Sequence, residues 1–217
     1  MKLRVALAQI NPTVGDLAGN AALISKYAKE AHAASADVVV FPEMVLTGYP
    51  VEDLAMRASF RSASKNALAQ LVSTLEPSIV SVVGYLDESA TGAPQNRVAI
   101  VHGSKVVATY TKRHLPNYGV FDEFRNFVPG DSSLVIRVKG VDIGIAICED
   151  IWHSLADLAA RTPGLVLVPN GSPYERNKDD VRLALVQKRA KEVGAPLAYV
   201  NMTGGQDDLV FDGDTIV

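Results

Sequence analysis

The sequence contains little of several residue types that mark whole classes of protein. It has one cysteine, Cys148, in 217 residues, which excludes an internal disulfide framework and fits a reducing compartment. The formal net charge is −3, so the basic excess typical of a nucleic-acid-binding protein is missing. No apolar run has the length of a membrane span or a secretory signal, and we therefore expect a cytoplasmic protein that has no membrane partner.

The four histidines give no sign of a metal site. They lie far apart in the sequence and share no ligand spacing with Cys148 or with one another, so we do not expect zinc. They are His32, His102, His114 and His153. His114 follows Lys112 closely, and we expect it to lie on a loop surface.

Apolar segments are present in the amount and order of a mixed α/β domain. Hydrophobic residues make up 48% of the chain, which is enough for a sizeable core. The predicted strands are 5–10, 38–41, 79–85, 97–101, 105–110, 134–138, 141–147, 165–169, 197–201 and 207–211. Predicted helices begin at an Asn20 cap, near Ser59, after Cys148, and at an Asp179 or Asp180 cap. This order permits a four-layer α-β-β-α sandwich.

Three further segments carry expectations. The long polar and aromatic loop 111–130 is of a length that is usually functional in a compact domain. The last predicted helix has a basic face, formed by Arg182, Lys188, Arg189 and Lys191, which we expect to be solvated or to contact another subunit. Residues 212–217 look like the start of another strand, so we expect this chain to be part of a longer protein.

Three reactive side chains follow predicted strands: Glu43, Lys112 and Cys148. An active thiol needs a base, a cation for the oxyanion and nearby backbone donors, and such groups collect at the carboxyl ends of strands. If these strands are neighbours, the three side chains meet in one cleft. A helix beginning at Cys148 would favour its thiolate. Taken singly, the three residues also fit a surface Glu, a surface Lys and a core Cys.

Extended motifs surround these three residues and continue in order through the chain. They comprise residues 41–54, 112–123, 147–152, 170–178 and 204–213. Together they resemble the Glu-Lys-Cys carbon–nitrogen hydrolases of the nitrilase superfamily, and among these the glutaminase domains of glutamine-dependent NAD⁺ synthetases. The resemblance covers nearly all of residues 1–217 and implies the α-β-β-α sandwich of that superfamily.

The resemblance also implies a role for each residue that matches a motif position. Glu43 matches the general base, Lys112 the cation that holds the tetrahedral intermediate, and Cys148 the nucleophile. Glu123 matches a second acidic residue that orients Lys112 or the substrate. We expect the backbone N–H of Glu149 to be a further donor to the oxyanion.

Substrate and partners follow from the same resemblance. Tyr118, Ser172 and Lys178 match positions that bind L-glutamine, the last two at its α-amino and α-carboxylate ends. The pyrophosphate loop of the ATP-dependent synthetase domain is missing from residues 1–217, so this domain needs no cofactor. ATP and Mg²⁺ belong to the synthetase domain, which is absent from this chain. A homo-oligomer is also expected.

Three hypotheses for function therefore stand. The first is a glutaminase domain that supplies ammonia for conversion of deamido-NAD to NAD by a synthetase domain. The second is a stand-alone amidase of the nitrilase superfamily that acts on another small amide. The third is a catalytically silent assembly domain whose contact face is the basic helix 182–191.

Overall fold

The protein is described by a computed structural model that covers residues 2–217, in which two sheets and a hairpin contain all the assigned strands. The first sheet has the order β1 (Val5–Leu7), β2 (Val38–Val40), β3 (Val80–Glu88), β4 (Pro94–His102), β5 (Lys105–Thr111). The second has the order β6 (Leu134–Val138), β7 (Val141–Ile145), β8 (Leu165–Pro169), β9 (Leu197–Val200). The hairpin comprises β10 (Thr203–Gln206) and β11 (Leu209–Asp212).

Helices cover the outer faces of both sheets. They are α1 (Leu17–Ala33) and α2 (Ala58–Val72) on the first sheet, and α4 (Ala156–Ala159) and α5 (Lys178–Val193) on the second, while the short α3 (Glu123–Asn126) lies in the segment between β5 and β6. In the first sheet, β1, β2 and β3 are parallel, and β4 and β5 alternate in direction. In the second, β7, β8 and β9 are parallel and β6 is antiparallel to β7. Consequently the carboxyl ends of β2, β3 and β5 all lie along the same edge of the sheet, the one at which the strands end.

Three apolar layers separate the four layers of secondary structure. Val40 and Ile100 of the first sheet pack with Ile145 and Val200 of the second, so the two sheets lie face to face. A second cluster joins α1 and α2 to the other face of the first sheet. A third joins α4 and α5 to the other face of the second. These contacts confirm the α-β-β-α sandwich, because each sheet has its two apolar faces covered by different layers.

The start of α1 differs from the prediction. Asp16, not Asn20, caps the helix, since its carboxylate accepts the Gly19 N–H at 2.8 Å. Asn20 lies one turn inside α1 and is buried. Its side chain bonds the N–H of Thr13 at 2.9 Å and the carbonyls of Thr13 and Leu46 at 2.7 and 3.1 Å. The capping preference of Asn was therefore satisfied by a loop rather than by the helix end.

The segment around Cys148 also differs from the prediction. The strand ends at Ile145 rather than Ile147, and the expected helix is a five-residue 3₁₀ turn, Cys148–Trp152, followed by the separate short α4. Cys148 has a φ of +42°, which a non-glycine residue rarely adopts. A backbone in that conformation turns sharply and cannot continue into a regular α-helix.

The last helix begins without either predicted cap. It starts at Lys178 after Asn177, whose left-handed backbone has no side-chain capping bond, so Asp179 and Asp180 lie in its first turn. The predicted gap at residues 203–205 is also wrong, because those residues form β10 and pair with β11.

The predicted basic face of α5 is wrong for its two arginines. Arg182 is 1% exposed, and Arg189 is 6% exposed and donates to the carbonyls of Ile151 and Trp152 at 2.6 and 2.9 Å. Half of the basic surface that the assembly-domain hypothesis requires is therefore interior.

Arg182 joins the segment after β8 to the segment after β11. Its Nη1 donates to the carboxylate of Asp212 at 2.9 and 3.0 Å and lies 3.4 Å from that of Asp214. Its Nη2 donates to the carbonyls of Ser172 and Pro173 at 2.9 and 3.0 Å. A buried guanidinium with this many partners fixes the position of the polar loop between β8 and α5.

We predict that R182A lowers the free energy of unfolding by about 3–5 kcal/mol, because two carboxylates and two carbonyls lose their donor in a buried site. The exposed Lys188 of the same helix is the control, and K188A should change that free energy by less than about 0.5 kcal/mol. Urea denaturation at matched pH measures both. Equal effects of the two substitutions would contradict the assigned role of Arg182.

Candidate active site

The candidate site lies between the two sheets, at the edge where their parallel strands end. Glu43 follows β2, Lys112 follows β5, and Cys148 follows β7. These three strands are not neighbours, because β3 and β4 lie between β2 and β5 and β7 belongs to the other sheet. The groups come together because the sheets stack: the N–H of Glu43 donates to the carbonyl of Asn170, beyond β8, at 3.2 Å.

A buried lysine between two carboxylates forms the centre of the site. The Nζ of Lys112 lies 2.7 Å from Oε1 of Glu43 and 2.8 Å from Oε2 of Glu123. Lys112 and Glu43 are fully buried and Glu123 nearly so. The hydroxyl of Tyr49 donates to the remaining oxygen of Glu123 at 2.8 Å. Glu43, Lys112 and Glu123 were all among the predicted site residues, and the structure brings them together. Tyr49 was given no role in the sequence analysis.

Burial and charge act in opposite directions on this cluster. Burial lowers the pKa of Lys112, but the carboxylates of Glu123 and Glu43 together raise it by more than burial lowers it. The pKa of Lys112 therefore lies well above its ordinary value. Burial raises the pKa of Glu123 to about 7, although Lys112 opposes the rise. Lys112 is therefore a permanent cation at neutral pH.

Glu43 is oriented by two donors besides Lys112. The side-chain amide of Asn96 donates to its Oε1 at 2.7 Å, and the backbone N–H of Gly171 donates to its Oε2 at 2.9 Å. Asn96 lies near the beginning of β4, which is antiparallel to β3 and so starts at the edge where β3 ends. Sequence reasoning missed this residue, because Asn96 lies between Gln95 and Arg97 and no local pattern shows that its amide is buried.

Cys148 faces this charged cluster and is itself buried. Burial raises the pKa of its thiol well above the ordinary value, and Glu43 raises it further, while Lys112 and the Gly171 N–H oppose the rise. The expected thiolate is therefore wrong for the resting site. The 3₁₀ turn that starts at Cys148 is too short to supply the dipole of a helix, and burial prevails.

Two of the predicted substrate residues, Tyr118 and Lys178, both lie near Phe121. The hydroxyl of Tyr118 donates to Oε2 of Glu149 at 2.8 Å, next to Cys148 in the sequence. The ring of Tyr118 packs edge-on against Phe121, with centroids 5.6 Å apart, and Nζ of Lys178 lies 6.0 Å from the centroid of Phe121. The exposed ring of Tyr118 is thus linked to the residue after Cys148, and the cation of Lys178 lies beside the same Phe121.

Ser172 lies in the segment after β8, and its backbone is hydrogen-bonded to Asn201. Its N–H donates to Oδ1 of Asn201 at 2.9 Å, and Nδ2 of Asn201 donates back to its carbonyl at 2.9 Å. Asn201 directly follows β9, just as Gly171 and Ser172 follow β8. Sequence reasoning gave Asn201 no role, although its position after an apolar strand was a signal.

The histidines do not form a metal site in the structure. Within residues 2–217, no group of three His, Cys, Asp or Glu side chains is placed to hold a metal ion. His114 is half-buried rather than on the surface, and its ring stacks on that of His153 with centroids 3.8 Å apart.

No helix in the described part of the chain is long and apolar enough to cross a membrane.

Known proteins match both the sequence and the fold. The family model for carbon–nitrogen hydrolases matches residues 4–217. A glutamine-dependent NAD(+) synthetase from Xylella fastidiosa is 47% identical over 223 residues, and the match covers 99% of this chain and 40% of that protein. The chain therefore spans about two fifths of the length of the curated relatives it matches.

Two solved structures have the same fold. A glutamine-dependent NAD+ synthetase from Acinetobacter baumannii, in complex with ADP, has a TM-score of 0.93 and 38% identity, covering 97% of this chain and 40% of its own. A mutant of the amidase from Nesterenkonia sp. AN1, with acrylamide added to its active-site cysteine, has a TM-score of 0.84 and 26% identity, covering 99% and 84%. The family match, together with the clustered Glu, Lys and Cys, shows that this chain belongs to the carbon–nitrogen hydrolase family.

Proposed function

We propose that this chain is the glutaminase domain of a longer glutamine-dependent NAD⁺ synthetase. It hydrolyses the side-chain amide of L-glutamine through a thioester on Cys148 and supplies the ammonia to a synthetase domain outside residues 1–217. The observation that carries the proposal is the buried cluster in which Lys112 joins Glu43 and Glu123 beside the thiol. The choice of glutamine is supported by the 47% identity to a synthetase of that name.

The first half of the reaction forms the thioester. Glu43 accepts the thiol proton while the sulfur of Cys148 attacks the amide carbon, and the carbonyl oxygen becomes an oxyanion. Glu43 then gives the proton to the departing nitrogen, the C–N bond breaks, and ammonia leaves. Because the resting thiol is protonated, a base beside it is required, and Glu43 is the carboxylate whose charge acts most strongly on that thiol.

Lys112 provides a donor for the oxyanion. A lysine ammonium has three N–H donors, and among the described residues the carboxylates of Glu43 and Glu123 use two of them. The third is available for the substrate oxygen, together with the backbone N–H of Glu149. One donor of this kind is typically worth about 10²–10³ in rate.

The second half of the reaction hydrolyses the thioester. Glu43 takes a proton from water, the resulting hydroxide attacks the acyl carbon, and a second oxyanion forms at the same donors. The C–S bond then breaks, the proton returns to the sulfur, and glutamate leaves. Asn96 and Gly171 hold both oxygens of Glu43, so the base keeps its direction through both half-reactions.

Recognition of glutamine falls to the residues at the entrance. Lys178 supplies a cation for the α-carboxylate, Ser172 a hydroxyl for the α-amino end, and Tyr118 a wall for the aliphatic part. Tyr118 also bonds Glu149, which couples substrate contact to the residue after the nucleophile. These roles follow the resemblance of the three positions to the glutamine-binding motif positions.

The partner assignments belong to the same proposal. The synthetase domain that carries ATP and Mg²⁺ is part of the longer protein, since this chain matches about 40% of such relatives. The domain itself works without a cofactor, and the complete protein is a cytoplasmic homo-oligomer.

A stand-alone amidase is the second candidate. It is favoured by the Nesterenkonia amidase, of which this chain covers 84% against 40% for the synthetases. Initial rates with L-glutamine and with acetamide or propionamide separate the two. The glutaminase proposal requires a much higher kcat/KM for glutamine, and a preference for the simple amides would replace it.

We predict that C148A lowers the rate of glutamine hydrolysis on the order of 10⁶-fold, to below detection, because the nucleophile is lost. In the natural full-length protein, the same variant should keep ammonia-dependent NAD⁺ formation. Glutamate release and NAD⁺ formation are measured in parallel. Glutamine hydrolysis retained by C148A would rule out the thioester route.

We predict that E43Q has two opposite effects. Hydrolysis should fall by at least about 10²-fold, because the base is lost. The pKa of Cys148 should also fall, because the carboxylate that raises it becomes neutral while the cation of Lys112 remains. The rate of iodoacetamide alkylation as a function of pH reports that pKa, and an unchanged or higher midpoint in E43Q would contradict the geometry.

A further inference from the structure

We propose that Asp150 is a positioning residue that fixes the distance between the nucleophile Cys148 and the cation Lys112. Its side chain is fully buried and touches the backbone on either side of the site rather than the substrate. The role given to Lys112 and Cys148 rests on the proposed function, while the contacts of Asp150 are independent of it.

The carboxylate of Asp150 connects the two catalytic segments. On the nucleophile side, Oδ2 accepts the N–H of Ile147 at 2.8 Å, directly before Cys148. On the cation side, Oδ1 accepts the N–H groups of Arg113 and His114 at 3.0 and 2.9 Å, directly after Lys112.

A fourth donor completes the clamp. The hydroxyl of Tyr110, the last buried residue of β5 before Lys112, donates to Oδ2 of Asp150 at 2.7 Å. One carboxylate thus ties the end of β5 in the first sheet to the turn after β7 in the second. These two ends carry the two groups whose separation decides whether Lys112 reaches the oxyanion.

The backbone of Cys148 explains why such a clamp is needed. Its φ of +42° is strained for a residue with a Cβ, and strained backbone persists only where its surroundings over-determine it. The N–H of Asp150 bonds the carbonyl of Ile147 at 2.9 Å, while its carboxylate bonds the N–H of the same residue. Asp150 therefore closes the turn on both sides of the strained cysteine.

The clamp requires a carboxylate rather than an amide. All four partners of Asp150 are donors, and an ionised carboxylate only accepts. An asparagine has one accepting oxygen, so its NH₂ faces the N–H of Ile147 in one orientation and those of Arg113 and His114 in the other. D150N keeps the size of the side chain but loosens one of the two catalytic segments.

The test compares D150N with D157N in the natural full-length protein. Asp157 is the matched control, because it bonds the side chain of the same Arg113, at 2.6 and 3.2 Å, and does not touch the backbone clamp. For D150N we expect kcat for glutamine hydrolysis to fall about 10²-fold with KM within about threefold, since misplacement by an ångström costs that much. For D157N we expect both constants within about twofold.

A second readout does not need an amide substrate. Glu43 raises the pKa of the Cys148 thiol more than Lys112 lowers it, and Glu123 raises it too, so a thiol that moves away from this ion-paired cluster should titrate at lower pH. Iodoacetamide alkylation should therefore reach its midpoint at lower pH in D150N and at the wild-type pH in D157N. If no amide is hydrolysed by the wild type, the proposed function fails while this measurement still decides the role of Asp150.

Three outcomes would overturn the proposal. They are equal effects of D150N and D157N on kcat, a D150N effect confined to KM, and unchanged alkylation midpoints. Should D150N fail to fold, Y110F replaces it, because that change removes one donor and leaves the three backbone bonds. Y110F should lower kcat about fivefold without a change in KM, and wild-type kinetics in that variant would also count against the clamp.

Discussion

The contact between Lys112 and its two carboxylates is the interaction on which the rest of this structure depends. An ammonium in a dry interior is costly unless charged partners surround it, and here Glu43 and Glu123 do so at 2.7 and 2.8 Å. The three groups come from separate segments, so the cluster is complete only when the first sheet has folded and the segment 112–123 has closed over it. The charged groups that stabilise the folded site are therefore the same groups to which the proposed chemistry is assigned.

The stacking of two sheets supplies what one sheet lacks. The first sheet and the segment after β5 bring the carboxylates and the ammonium, and the second sheet brings the thiol, the Gly171 N–H and the hydrogen-bonded backbone of Ser172. Because the strands of both sheets end at one edge, the loops that follow them form a single site. The hydrogen bond from Gly171 to Glu43 is a direct link between the two halves.

The sequence predicted the order of strands, the sandwich and the residues of the central cluster, because apolar runs and extended motifs are local signals. It failed where tertiary contacts overrode a local preference. Asn20 is satisfied by a loop instead of a helix end, and Arg182 is drawn inside by Asp212 and Asp214. Asn96 was missed because only the antiparallel direction of β4 brings it to the catalytic edge. Burial of Cys148, which reverses the expected thiolate, agrees with the alternative interpretation of a core cysteine.

The shared burial of Glu43 and Cys148 has a consequence for how the surroundings respond during the reaction. When the thiol proton passes to Glu43, as proposed, it moves between two members of one buried cluster. The total charge enclosed by the sandwich is then the same before and after the transfer. Little reorientation of distant dipoles or solvent is needed, so the barrier is set mainly by the local geometry around Lys112.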